Sequence, residues 1–193
     1  MGSNDSTSLS PDAETALHKL SMPNGTSYVS YTLQSSIRTE SRENDTVAVY
    51  KGALLYALDV PNTNTSTLPK PYNDPKAVYG ASYAPPQSRD WEYHNISAWN
   101  FAIDPSTLVY HGPNGTLASY QLASPIFGPG APPGYFTAQG CEIDWPLYLN
   151  SVPGYPPTGE GKKCLGDAKE VRLLPYASVK THMAELPVVD LSS

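Results

Sequence analysis

Phenylalanine, cysteine and positive charge are scarce in this chain, which has 3 Phe, 2 Cys and 12 Lys plus Arg among 193 residues. Each scarcity excludes something. The 12 basic residues are scattered against 18 acidic ones, for a net charge of −6. No basic stripe is available to neutralise phosphates, so nucleic acid is not an expected partner. No apolar run approaches the roughly 20 residues that span a bilayer, so no membrane partner is expected either. Two cysteines without a C-x-x-C pair fall short of the three or four close N/S ligands of a zinc thiolate site. "GPGAPPG" lacks the Gly-Lys-Ser/Thr of a phosphate-cradling loop. Charged residues make up only 16% of the chain, against a usual share of roughly 25%. A helix bundle wants Ala, Glu, Lys and Leu in larger amounts.

In their place stand 20 Pro and 14 Tyr, with many Thr. This composition suits short strands joined by long loops. The most apolar stretch is "NDTVAVYKGALLYALDV", residues 44–60. Val47 and Val49 alternate with Ala48 and Tyr50; beyond Gly52 the large apolar residues are Leu54, Tyr56, Leu58 and Val60. A strand has a side-chain period of two. The change of parity at Lys51-Gly52 predicts two strand segments meeting at a bulge or tight bend. Leu54, Tyr56 and Leu58 are then the expected core, with Trp99 near them. Pro61 and the Asn/Thr run that follows are expected to end the strand, and residues 61–90 to form a long loop.

Ser10, Pro11, Asp12 and Glu14 carry the signals of a short helix start. "SYVSYTLQSSIRTES", residues 27–41, reads as a strand, and "RENDT" as a turn. "WEYHNISAWNFAID", "TLVYH", "YFTAQGCEIDWPLYL" and "EVRLLPYASVKTHMAELPVVD" supply further strands, with "GPNG" as a hairpin turn. Short strands with Pro/Gly-rich connections and almost no helix predict an all-β fold: an antiparallel β-sandwich or jelly-roll-like domain with at most one short N-terminal helix.

N-x-S/T sequons occur at Asn4, Asn24, Asn44, Asn64, Asn95 and Asn114. Their density predicts a secreted glycoprotein. The opening "MGSNDSTSLSPDAETALHKL" lacks the basic and apolar regions of a signal peptide, so the expectation is a portion of a longer secreted precursor. In that compartment Cys141 and Cys164 are expected to form a disulfide. The alternatives are two buried free thiols or, more remotely, a Cys141/Cys164/His182 metal site.

The remaining chemistry is thin. Glu142 and Asp144 lie two apart on one strand face, and a glycosidase uses two carboxylates; the competing reading is a solvated face. Asp90 and Glu92 stand in the same position. His18, His94, His111 and His182 have no neighbours that suggest a triad. Trp91, Tyr93, Trp99 and Trp145 have the chemistry to stack on sugar rings, or to anchor a small core.

Four segments in order resemble one family. "VAVYKGALLYALDV", "WEYHNISAWNFAID", "EIDW" and "EVRLLPYASVKTHMAELPVVD" are similar to successive strands of the C-terminal β-sandwich region of family-127 glycoside hydrolases, the DUF1680 group of β-L-arabinofuranosidase-like enzymes. Ala53 stands where the family has Pro, and Ala177 where it has Gly. The resemblance implies a non-catalytic accessory portion whose parent carries its zinc and nucleophile in a missing N-terminal (α/α)6 barrel. No cofactor is then expected in this chain, and its partners are that barrel and carbohydrate. It also implies an organisation of residues 1–27 as a disordered or short-helix N-terminal segment, 28–60 as the end of a preceding sandwich domain or its strand pair, and 61–193 as the C-terminal β-sandwich domain. The competing functions are a free-standing carbohydrate-binding module and a small glycosidase using Glu142 and Asp144.

Overall fold

The computed structural model describes residues 10–22, 24–29, 35–67, 87–112, 125–128, 134–150, 152–181 and 183–191. The chain divides into two compact units, with the boundary after residue 33.

In the first unit, the helix expected from Ser10 does not form. The Asp12 carboxylate accepts the backbone N–H groups of Glu14 and Thr15 and the Thr15 hydroxyl, and pairs with Lys19 at 2.7 Å. The Lys19 ammonium and the Thr15 donors hold this carboxyl at about 2. Ala16 adopts a positive φ of 55°, and the Asp12 N–H donates to the Leu17 carbonyl. The chain thus closes into a single turn around Asp12. A short helix without a docking surface is marginal in any case.

The second unit is all-β, antiparallel and sandwich-like. Its main sheet contains β1 (Ile37–Arg42), β2 (Thr46–Lys51), β3 (Leu54–Leu58), β6 (Phe101–His111), β7 (Tyr135–Glu142), β10 (Lys169–Pro175) and β11 (Leu186–Pro187). The order is β1-β2-β3-β10-β7-β6, with β11 on the edge of β2. A hairpin of β4 (Asn62–Thr67) and β5 (Asp90–Asn95) forms a second sheet. β8 (Leu147–Tyr148) and β9 (Val152–Pro153) form a third. The main sheet curls. Leu186 and Pro187 pair with Val47 and Thr46; just beyond them, Val188 bridges Ile103 of β6 in parallel and the Val189 N–H donates to the Ile103 carbonyl. The C-terminal segment therefore links strands near the two ends of the sheet. Strands on both sides of residue 60 share this sheet, since β3 pairs with β10. The strands on either side of residue 60 thus lie in one compact unit.

The enclosed core holds Val47, Val49, Tyr56, Leu58, Ile103, Phe136, Leu173 and Leu186, among others. The stretch around Gly52 is a tight hairpin: Lys51 pairs with Leu54 across Gly52-Ala53. Gly52 has a φ of +58°, while Ala53 is not in the positive region. That is the pattern of a II′ turn, with glycine at the first central position. A Cβ on Gly52 would also meet the Ser35 side chain at 3.0 Å. Leu54 sits at the tip of this hairpin and is 36% exposed, whereas Tyr56 and Leu58 are buried. The expectation of a buried Leu54 is corrected by its position: the first residue after the turn has no facing layer.

The Asn/Thr run after Pro61 continues as β4 instead of a loop, because it finds a partner strand in β5. Threonine is well suited to a pleated surface. Of the expected 61–90 loop, residues 68–86 lie outside the described residues, as do Tyr31 and Leu33 and the tip of the "GPNG" turn beyond Gly112.

Pro105 lies inside β6, where the missing N–H would break a ladder. The register jumps there, from Asp104 opposite Gln139 to Val109 opposite Thr137. This bulge is stitched by Asp104. Its carboxylate accepts the Ser106 N–H at 2.9 Å, the Ser106 hydroxyl at 2.6 Å and, on the other oxygen, the Leu191 N–H at 3.1 Å. The side chain is buried, and the Ser106 hydroxyl foremost, with the two N–H donors, holds its pKa below the usual carboxylate range against the cost of burial. A folded pKa below the unfolded value of about 3.9 stabilises the fold above that pH, and the gain is lost as pH falls through the folded value. Asp104→Asn is therefore expected to be about 1–3 kcal/mol less stable than wild type at pH 7, since Leu191 loses its charged acceptor. The gap should narrow steadily below a pH of about 4. Denaturant titrations of both proteins at several pH values check this; a gap constant from neutral to strongly acidic pH contradicts it.

Candidate functional site

The aromatic residues singled out by the sequence fall into two groups. Trp99 and Trp145 lie against each other, with ring centroids 5.4 Å apart. Trp145 is buried, and its indole N–H donates to the Gly154 carbonyl at 2.9 Å. Trp99 is half-buried against the core. Trp145 thus packs inside the core, and Trp99 packs against it with part of its ring at the surface.

Trp91 and Tyr93 differ. They lie two residues apart on β5, so their side chains leave the same face of the hairpin. Their rings are nearly parallel, at 22°, with centroids 6.3 Å apart. Trp91 is 54% exposed and Tyr93 is 39% exposed. The register places Ser66 opposite Trp91, Asn64 opposite Tyr93 and Asn62 opposite Asn95. One face of the hairpin thus carries an aromatic pair bordered by hydroxyl and amide side chains. The opposite face carries Asp90, Glu92 and His94 against Thr67, Thr65 and Thr63, with His94 3.8 Å from Glu92. The Ile96 N–H donates to the Pro61 carbonyl and continues the hairpin's ladder at its base, and the Thr181 hydroxyl, which donates to Asn95 Oδ1 at 3.1 Å, ties the hairpin to the rest of the unit.

A signal for this division exists in the sequence. Trp91 and Tyr93 alternate with three charged or titratable residues and face a strand of Asn, Thr and Ser. Trp99 and Trp145 sit beside Ala98, Phe101, Ile143 and Leu147. Two strands that are polar apart from one aromatic pair have no apolar layer in which to bury it.

The other candidate residues are placed as follows. Cys141 and Cys164 form a disulfide, with Cα atoms 5.4 Å apart. Joined sulfurs are not thiolate ligands, so the Cys141/Cys164/His182 metal site is corrected; His182 itself lies outside the described residues. No cluster of His, Cys, Asp and Glu that could hold a metal occurs among the described residues. Glu142 pairs with Lys169 at 2.7 Å, and Asp144 is exposed. His111 bonds the Thr137 hydroxyl at 2.9 Å and stacks on Tyr135. Asn24, Asn44, Asn64 and Asn95 are all exposed; Asn4 and Asn114 lie outside the described residues.

A shallow groove of about 460 Å³ runs beside Gly159, Glu160, Lys162, Lys163, Val188, Val189 and Asp190. Its charges are mixed, and Lys162 is engaged by Asp45. It offers no convergent set of donors for a ligand. No helix among the described residues is long and apolar enough to cross a membrane. Compared with protein-family models, curated proteins and solved structures, the chain matches none.

Proposed function

We propose that this chain is a non-catalytic, carbohydrate-contacting β-module of a secreted protein. The observation that carries the reading is the exposed, near-parallel Trp91–Tyr93 pair on the amide- and hydroxyl-bearing face of the β4–β5 hairpin. An aromatic ring presents an electron-rich face, to which the C–H face of a pyranose is complementary. Neighbouring Asn and Ser side chains supply donors and acceptors for sugar hydroxyls. The disulfide fits an oxidising compartment. The resemblance to family-127 hydrolases supports an accessory place beside a catalytic barrel, where such a surface would help to hold glycan substrate near the enzyme. The rival glycosidase built on Glu142 and Asp144 is less well supported, because Glu142 is engaged by Lys169 and Asp144 lies beyond the end of β7, exposed and off the strand face that the pairing would need.

The test is binding of the purified, unglycosylated chain to plant and microbial oligosaccharides, arabinofuranosides among them. Trp91→Ala is expected to weaken the best ligand by about tenfold or more, the equivalent of ~1.4 kcal/mol. Trp99→Phe should leave affinity unchanged. Equal affinity in wild type and Trp91→Ala, or no binding by the folded wild-type chain, contradicts the reading.

A further inference from the structure

Two of the sequon asparagines, Asn64 and Asn95, lie on the same hairpin face as Trp91 and Tyr93. Directly opposed residues of an antiparallel pair have Cβ atoms roughly 4.5–5.5 Å apart, so Asn64 and Tyr93 are immediate neighbours. Asn95 is next along β5, and its Oδ1 is already held by Thr181. Asn64 is exposed and stands between the two strands' aromatic and hydroxyl side chains. A sugar attached to its amide nitrogen begins within one side-chain length of both rings.

From this juxtaposition we infer that Asn64 carries an N-glycan whose first N-acetylglucosamine packs onto the Tyr93 and Trp91 rings. The hairpin would then be the docking face for the chain's own modification. The inference deepens the carbohydrate-contacting reading and rests on it for the stacking chemistry. It adds a modification site and a consequence: the aromatic pair is covered when Asn64 is glycosylated and open to other glycans when it is not. The physical grounds are the register and the exposure. The rings are uncovered apolar surface on a polar hairpin, and a covalently attached sugar reaches them as an intramolecular ligand, at an effective concentration on the order of mM. A two-stranded hairpin is also marginal by itself, so a glycan lying along its face has an element to stabilise.

The experiment uses the full chain expressed behind a secretion leader in a glycosylating host, with the glycan trimmed to its first sugar. Peptide mass spectrometry reads occupancy at Asn64. The glycosylated protein is expected to melt about 2–4 °C above Asn64→Gln, the shift of a ~1 kcal/mol interaction in a domain of this size. That difference should disappear in the Trp91→Ala/Tyr93→Ala background and persist in Tyr93→Phe, which keeps the ring; the loss is the coupling that a mutant cycle measures. A trisaccharide of β-1,4-linked N-acetylglucosamine should bind Asn64→Gln at least about tenfold more tightly than the Asn64 glycoform. An unoccupied Asn64 overturns the inference. So does a melting difference that survives removal of both rings, or equal trisaccharide affinity in the two forms. A ring-dependent melting difference, with neither this trisaccharide nor any of the plant and microbial oligosaccharides bound by either form, supports the glycan contact and sinks the binding-module reading alone.

Discussion

Phe136→Ala is expected to cost about 3–5 kcal/mol of folding stability, the range for emptying a core aromatic site. Phe136 is fully buried on β7, in register with Tyr110 on one side and Leu173 on the other. Its ring meets Tyr56 edge-on, with centroids 4.8 Å apart, and lies 5.1 Å from Tyr110. Edge-to-face pairs of this kind add about 0.5–1.5 kcal/mol each beyond area burial. The site has little freedom to collapse. The Tyr110 hydroxyl lies so close to Gly112 and Gly134 that a Cβ at either would approach it to 2.3 Å. Tyr56 is pinned between β2 and β10, and burial pushes its phenol pKa up. Since whole domains are stable by only about 5–15 kcal/mol, the variant should be largely unfolded under mild denaturant. Urea unfolding of the two proteins, followed by near-ultraviolet circular dichroism, checks this. A loss below about 1 kcal/mol would mean that the three rings do not form the centre of the core.

Removing the disulfide is the second large effect. Cys141 is buried near the end of β7, and Cys164 lies 23 residues on, across a segment that holds the β8–β9 hairpin and the 3₁₀ turn at Gly159–Lys162. Opening that loop releases chain entropy into the unfolded state, worth on the order of 3 kcal/mol in the loop-closure model. The ends are also joined by backbone bonds: the Leu165 N–H donates to the Glu142 carbonyl at 2.8 Å, and Ile143 bridges Cys164. The Cys141→Ala/Cys164→Ala variant, or wild type in reductant, is expected to unfold at clearly lower urea concentration. Non-reducing peptide mapping should recover the joined peptides. Free thiols in secreted material, or identical midpoints with and without reductant, would contradict the assignment.

How much of this was legible in the sequence differs by element. The class was legible, because prolines, threonines and tyrosines without helix formers leave short strands as the main option. The strands around Val47, Tyr56, Phe101, Phe136 and Val171 carry apolar periodicity that only a buried sheet satisfies. The disulfide followed from cysteine count and sequons. Other features depend on long-range pairing that a local pattern does not encode. Asn62–Thr67 has no apolar face, and becomes a strand only because Asp90–Asn95 lies beside it. Leu54 has the pattern of a core residue and loses burial to its place at a hairpin tip. The turn at Asp12 shows a carboxylate taking the N–H groups that a helix start would otherwise leave unpaired. The candidate site was half legible: the aromatics and the polar setting of Trp91 and Tyr93 were visible, but the placing of Asn64 and Ser66 beside them needed the register.

The central claim is that the Trp91–Tyr93 face contacts carbohydrate, and the chain's 3 tryptophans allow it to be tested by one nuclear magnetic resonance titration. Each indole N–H gives its own signal, assignable by single Trp→Phe substitutions. On addition of an oligosaccharide ligand to the unglycosylated chain, the Trp91 signal is expected to shift in a saturable way. The signals of Trp99 and of Trp145, whose N–H is bonded to Gly154, should stay in place. A bound ligand that moves Trp99 or Trp145 and leaves Trp91 unmoved would contradict the account.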